Sequence, residues 1–322
     1  MAIDIVRFQT DASFAWGVLA GPAPTMPDDL VEIRRIAPDA KTTGDLIAAI
    51  EAGAVPGEAH KIKARSLLSP VTSDGQLICQ GLNYRDHAAE AGHYARKENL
   101  IFFKASSSLT GPYADIVKPA GVDLLDYEIE IGIVMRQTLT EATTITKDNI
   151  GDVVAGVTLC NDVSARDVMF GAAFMQWFRG KSFRGFCPTG PVLRLLKRDE
   201  VAATLTALSI TLDMNGERRQ EATSANFIHT PADTITELSA LMDLRRGDMI
   251  LTGTPGGVIA QGSPTIMAIL KDHLLDDATR RAMMTAEMQG AAKFLAPGDT
   301  MKLNLRDEHA GVGLGSQYSR IV

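Results

Sequence analysis

The chain has 322 residues, 45% of them hydrophobic, a formal net charge of -7 and no Lys/Arg block longer than a pair; that allows one large or two modest domains around an apolar core and argues against a nucleic-acid or anionic-membrane surface. The three cysteines, Cys79, Cys160 and Cys187, are too few and too scattered for a disulfide framework or a zinc knuckle. The N-terminus meets Asp4, Arg7 and Asp11 without a signal-peptide apolar core, and no segment reaches the ~20 apolar residues that span a bilayer, so small-molecule chemistry in a reducing cytoplasm is the expectation.

In chain order, residues 3–8 and 14–19 predict a short hairpin, followed by a Pro-rich turn and a helix near 44–52. Residues 1–70 read as a small N-terminal domain. From about Leu68-Ser69-Pro70-Val71 onward the pattern becomes β-rich, with strands predicted at 77–80, 101–104, 128–135, 153–160, 192–195, 204–214, 249–251 and 300–305. Residues 71–322 are expected to form the catalytic unit. One segment, about 259–294, breaks the strand rhythm with Ala, Met and Leu at helical spacing, and Asp276-Asp277 opens its second half. It predicts two inserted helices that cap a cleft or extend a subunit contact.

The motif Gly-Leu-Asn-Tyr-Arg-Asp-His-Ala-Ala-Glu (81–90) places His87 and Glu90 three apart. On a helix the carboxylate can orient the imidazole as a general base, although the same spacing also suits a solvated surface pair. The polar loop Lys-Ala-Ser-Ser-Ser-Leu-Thr-Gly-Pro (104–112) follows an apolar strand and assigns no role by itself.

Asp-Tyr-Glu-Ile-Glu (126–130) sets Glu128 and Glu130 on one face of a strand, with Tyr127, Ile129 and Ile131 on the other. Adjacent carboxylates repel unless a cation lies between them. The strand at 153–160 delivers Asn161-Asp162, so Asp162 is a candidate third ligand. Three carboxylates without nearby Cys or paired His form a hard oxygen set suited to magnesium or manganese, then calcium, rather than zinc. An isolated Glu-x-Glu also fits a strand face turned to water. Lys181, between aromatic stretches, is a candidate oxyanion- or enolate-stabilising cation or a solvated lysine. Leu-Thr-Gly-Thr-Pro-Gly-Gly-Val (251–258) is either a plain tight turn or one that aims N–H groups and the Thr254 hydroxyl at a small anion. It lacks the Lys-Ser/Thr ending of a P-loop.

Taken in this order, and with Asn-Asp-Val-Ser-Ala-Arg-Asp (161–167), Gln-Trp-x-x-Gly-Lys-Ser-Phe (176–183) and Phe-Cys-Pro-Thr-Gly-Pro (186–191), these motifs closely resemble the fumarylacetoacetate hydrolase family over roughly residues 70–322. The resemblance implies an α+β, β-rich fold, a mixed β-roll or β-sandwich with a small N-terminal domain, and a homodimer. It implies a magnesium or manganese ion on Glu128, Glu130 and Asp162, and a catalytic set of His87, Glu90 and Lys181. Tyr84, Arg85, Gln176, Gly253 and Thr254 fall in its substrate-binding motifs.

Family activities include C–C hydrolysis, oxaloacetate decarboxylation, and isomerisation or dehydration of 2-oxo acids. The leading expectation is a hydrolase of an acylpyruvate-like 1,3-diketo acid. A decarboxylase, tautomerase/isomerase or dehydratase at the same metal site is the second, and a binding module without turnover is the third. The chain departs from the family pattern at Met169, where Gln is common, at Arg184, where Asp is common, and in the 259–294 insertion.

Overall fold

The computed structural model describes residues 2–11, 13–86, 98–172 and 174–322. The first 70 residues contribute β1 (Ile3–Gln9), β2 (Phe14–Leu19), β3 (Leu30–Ile36), the helix Thr43–Glu51, β4 (Ala59–Lys63) and β5 (Leu67–Leu68). There follow β6 (Leu77–Gly81), β7 (Leu100–Lys104), β8 (Leu109–Thr110), β9 (Leu125–Asp126), β10 (Ile129–Met135), β11 (Val154–Asn161), β12 (Ser164–Ala165) and β13 (Cys187–Leu195). The last third holds β14 (Leu208–Met214), β15 (Glu217–Thr223), β16 (Met249–Leu251), β17 (Thr300–Asp307) and β18 (Val312–Arg320).

A 12-stranded sheet runs β4-β3-β2-β1-β13-β11-β10-β16-β6-β7, with β5 on β1 and β8 on β13. A 4-stranded sheet, β15-β14-β17-β18, packs across it, and the two share one apolar core that includes Ile129, Ile131, Leu159, Ile210, Leu303 and Leu314. Every residue of β10 and β11 is buried, which explains their continuous apolar, β-branched sequence: both faces are covered. Gln317 of β18 stitches the layers together by donating to the carbonyls of Leu159, Pro188 and Gly190.

The large sheet curls. Its edge strand β7 ends at Lys104, and the segment that follows pairs in parallel as β8 with β13, deep in the same sheet. This is the mixed, sheet-rich α+β architecture that the sequence implied. β1 hydrogen-bonds to β13, so the N-terminal strands extend the large sheet, while Leu46 and Ile47 of the helix pack with Leu77, Val134 and Leu195.

The inserted segment forms helices Pro264–Asp272 and Asp277–Ala291. Ser263 caps the first by accepting from the Ile266 N–H, and Asp276 caps the second by accepting from that of Thr279. One expected strand is shorter than its pattern. Val201–Leu205 is a helix and the strand begins only at Leu208, because a short β-branched and apolar run does not by itself distinguish a buried turn of helix from a strand.

Candidate metal-binding active site

Antiparallel register assembles the acidic cluster. β10 and β11 pair Ile129 with Asn161 and Glu130 with Cys160, so the start of one strand lies beside the end of the other, and the Asp162 N–H donates to the Glu128 carbonyl at 2.8 Å. Glu128, Glu130 and Asp162 each turn a carboxylate oxygen to a common centre, within 4.8 Å of one another, and all three side chains are buried. On the other side of β10, β16 sets Leu251 opposite Gly132. The chain then turns at Gly253, whose φ of +87° suits glycine, and aims its N–H at Glu130 Oε2, 2.8 Å away.

Three cations hold this negative charge inside the protein. Lys181, fully buried, donates to Glu128 Oε2 and Asp162 Oδ2 at 2.7 Å each and to the Ser164 hydroxyl at 2.8 Å. These three acceptors match the three N–H donors of an ammonium. Lys104 reaches Asp162 Oδ1 from the far edge of the curled sheet. Arg166 bridges Glu128 Oε1 at 2.6 Å and Asp126 Oδ2 at 2.9 Å.

Burial, first, and then the charges of Asp162 and Glu128 push the Glu130 carboxyl well above the ordinary carboxylate range, against smaller opposing effects of Lys181 and the Gly253 N–H. Burial works to lower the Lys181 pKa, but Asp162 and Glu128 outweigh it and the net direction is up. Arg166 likewise overcomes its burial through Glu128 and Asp126 and is pushed up. Glu130 Oε1 is buried with no hydrogen-bond partner among the described residues. An orphaned, desolvated oxygen in an all-carboxylate set fits a hard divalent ion, whose charge would offset the desolvation that the protein leaves uncompensated.

The other expected site residues are distributed as follows. Thr254 is buried and its hydroxyl accepts from Gln220 Nε2 at 2.8 Å; Gln220 also anchors β10 by accepting from the Ile129 N–H. Tyr84 is buried edge-on to Phe227, ring centroids 4.9 Å apart, with no partner for its hydroxyl among the described residues. Arg85 is exposed and Gln176 half-buried at the start of the helix Trp177–Lys181. His87 and Glu90 lie outside the described residues.

A cavity of about 290 Å³ opens beside the cluster, reached by Glu128, Arg166, Thr254 and Met169. Arg184 is exposed and does not line it. Sequence reasoning assigned no site role to Lys104, Arg166, Ser164 or Asp126. Asp126 accepts from the N–H groups of Ile259 and Ala260 at 3.0 Å and so ties the root of the insertion to the Arg166–Glu128 pair. Both cations lay in motifs already recognised, but only the tertiary arrangement shows what they touch.

A curled β-roll with an inward carboxylate triad, buried counter-cations and an adjoining apolar cleft is an arrangement that could hold a divalent ion beside a small molecule. Residues 76–322 match the family described as fumarylacetoacetate (FAA) hydrolase, C-terminal, and the chain belongs to that family. It is 38% identical over 211 residues to a fumarylacetoacetate hydrolase domain-containing protein 2 homolog of Dictyostelium discoideum, covering 63% of this chain and 66% of that one. It is 38% identical over 195 residues to a mitochondrial oxaloacetate tautomerase of Bos taurus, covering 60% of each. The matches thus span less than two thirds of these relatives. A fumarylacetoacetate hydrolase from the psychrophile Exiguobacterium antarcticum superposes with a TM-score of 0.70 at 26% identity, covering 99% of each chain.

Proposed function

We propose that the protein is a homodimeric, divalent-metal-dependent enzyme that stabilises the enolate of a 2-oxo acid, and that its reaction is C–C hydrolysis of an acylpyruvate-like 1,3-diketo acid. The observation that carries this reading is the buried, convergent Glu128, Glu130 and Asp162 triad with its orphaned Glu130 oxygen. When bound there, magnesium or manganese, with calcium as the next choice, would supply Lewis-acid stabilisation of the enolate charge. Lys181, held by Glu128, Asp162 and Ser164, is the cation assigned to the developing oxyanion. His87, oriented by Glu90, takes a proton from the attacking water.

The Thr254 hydroxyl accepts from Gln220 and keeps its own proton to donate to the substrate carboxylate. Tyr84, Arg85 and Gln176 are the further substrate contacts that the family motifs imply, though none of them lines the described cavity. Gly253 contributes by holding Glu130 in place. The three buried free cysteines fit a reducing cytoplasm, and no helix among the described residues is long and apolar enough to cross a membrane.

The tautomerase relative supports a second reading, in which the same enolate forms and is reprotonated without attack by water. Incubating the magnesium-loaded protein with acylpyruvates and oxaloacetate, in 18O-water and in parallel in deuterated water, separates the two. Label in a new carboxylic acid product marks hydrolysis, and solvent deuterium at the carbon next to the 2-oxo group without cleavage marks tautomerisation. Glu128→Ala or chelation is expected to abolish turnover; full activity in either case overturns the metal assignment.

A further inference from the structure

The lining of the cavity beside the triad is of two kinds. Glu128, Arg166 and Thr254 are its polar groups; Ile266, Leu270 and Met288 of the inserted helices give it an apolar wall, and Met169, Phe102 and Trp177 add to the apolar lining, the last two close to the triad, with the Lys181 ammonium 5.2 and 5.9 Å from their ring centres. Of the polar lining groups, the amides and the guanidinium already have protein partners. Gln80 donates to Asn99 and Thr234, Gln261 to the Val258 carbonyl, and Arg166 is engaged by Asp126 and Glu128. Among the described lining residues Arg166 is the only cation.

We infer that the substrate is a 2-oxo acid with an apolar tail, read by the inserted helices, rather than a dicarboxylate. This deepens the proposed function and rests on it. A second carboxylate placed against the inserted helices would give up hydration and meet no counter-charge among the described lining residues. An alkyl or aryl tail is removed from water there against methionine and aromatic side chains, which adapt to tails of varied shape. At about 290 Å³ the cavity holds a ligand on the order of ten non-hydrogen atoms, taking the ~30 Å³ that one water occupies in the liquid. That suits a pyruvoyl head with a short tail. Ser263 caps the first inserted helix and Asp126 grips residues 259 and 260, so the tail wall is fastened directly to the acidic cluster.

Calorimetric titration of the magnesium-loaded full chain with oxalate, 2-oxobutanoate, 2-oxohexanoate, 2-oxooctanoate and 2-oxoglutarate tests this without turnover. Affinity is expected to rise roughly three- to four-fold per added methylene until the cavity is full, with 2-oxohexanoate at least about ten-fold tighter than 2-oxoglutarate. Leu270→Arg, or the more exposed Met267→Lys should the first not fold, is expected to invert that order. Oxalate has no tail and reports on the metal site alone. Oxalate binding combined with a flat response to tail length, or with preference for 2-oxoglutarate, overturns the tail assignment and leaves the proposed function standing. Failure of oxalate itself to bind overturns the proposed function as well.

Discussion

Glu130 has one carboxylate oxygen held by the Gly253 N–H and the other facing no donor among the described residues. Its pKa is raised, so the folded protein holds this proton more tightly than the unfolded chain does. The metal-free protein therefore loses stability as pH rises from the ordinary carboxylate range toward the raised folded value. Glu130→Gln is expected to remove that loss, adding about 1–3 kcal/mol at pH 8, and to abolish stabilisation by magnesium; urea denaturation at pH 5 and pH 8 checks both.

Lys181→Met should act in the opposite sense. It strips Glu128 and Asp162 of a buried partner, which costs about 3–5 kcal/mol, and added magnesium should recover part of the fall in melting temperature. The convergence of the three carboxylates was legible in the sequence because a strand repeats every two residues and the segment at 153–160 ends on Asn161-Asp162. The role of Lys104 was not, because it stands 58 residues from Asp162 and the two meet only through the curl of the sheet.

At the scale of elements, the inserted helices are held by their own small core of Ile266, Ile269, Met284 and Met288 against Leu124 and Phe294. Arg280 is buried within them and donates to the carbonyls of His273 and Leu274, closing the turn between the two helices. Met284→Ala is expected to cost about 2–5 kcal/mol. Because the cluster is separate from the main core, the loss should appear as faster hydrogen exchange in Pro264–Asp272 and Asp277–Ala291, with β10 and β11 unchanged; uniform acceleration across the chain would show the helices to be part of one cooperative unit.

These helices, the N-terminal hairpin and the buried strands were legible because each repeats an apolar residue at its own period. β15 was not: its sequence Glu-Arg-Arg-Gln-Glu-Ala-Thr lies on a sheet edge and buries only Gln220. The helix Pro231–Leu241 was missed despite a visible signal, Thr230 and Asp233 forming a capping box around Pro231.

Over the whole molecule, three buried cations face a cluster of four carboxylates, Asp126, Glu128, Glu130 and Asp162. Magnesium at about one hundred times its dissociation constant should stabilise the protein by about 2.7 kcal/mol. The gain should shrink as pH falls, since Glu130 must lose its proton before it can serve as a ligand; melting curves across pH and metal concentration measure the slope, and a pH-independent gain would place the ion elsewhere.

The presence of Lys104, Arg166 and Lys181 inside the roll has a consequence for the life of the protein in its cell. A chain that brings its own positive charge can complete its architecture before any metal arrives, so loading becomes a late and reversible event. On the proposed metal assignment, occupancy is then expected to follow the supply of free ion, with the emptied protein staying folded.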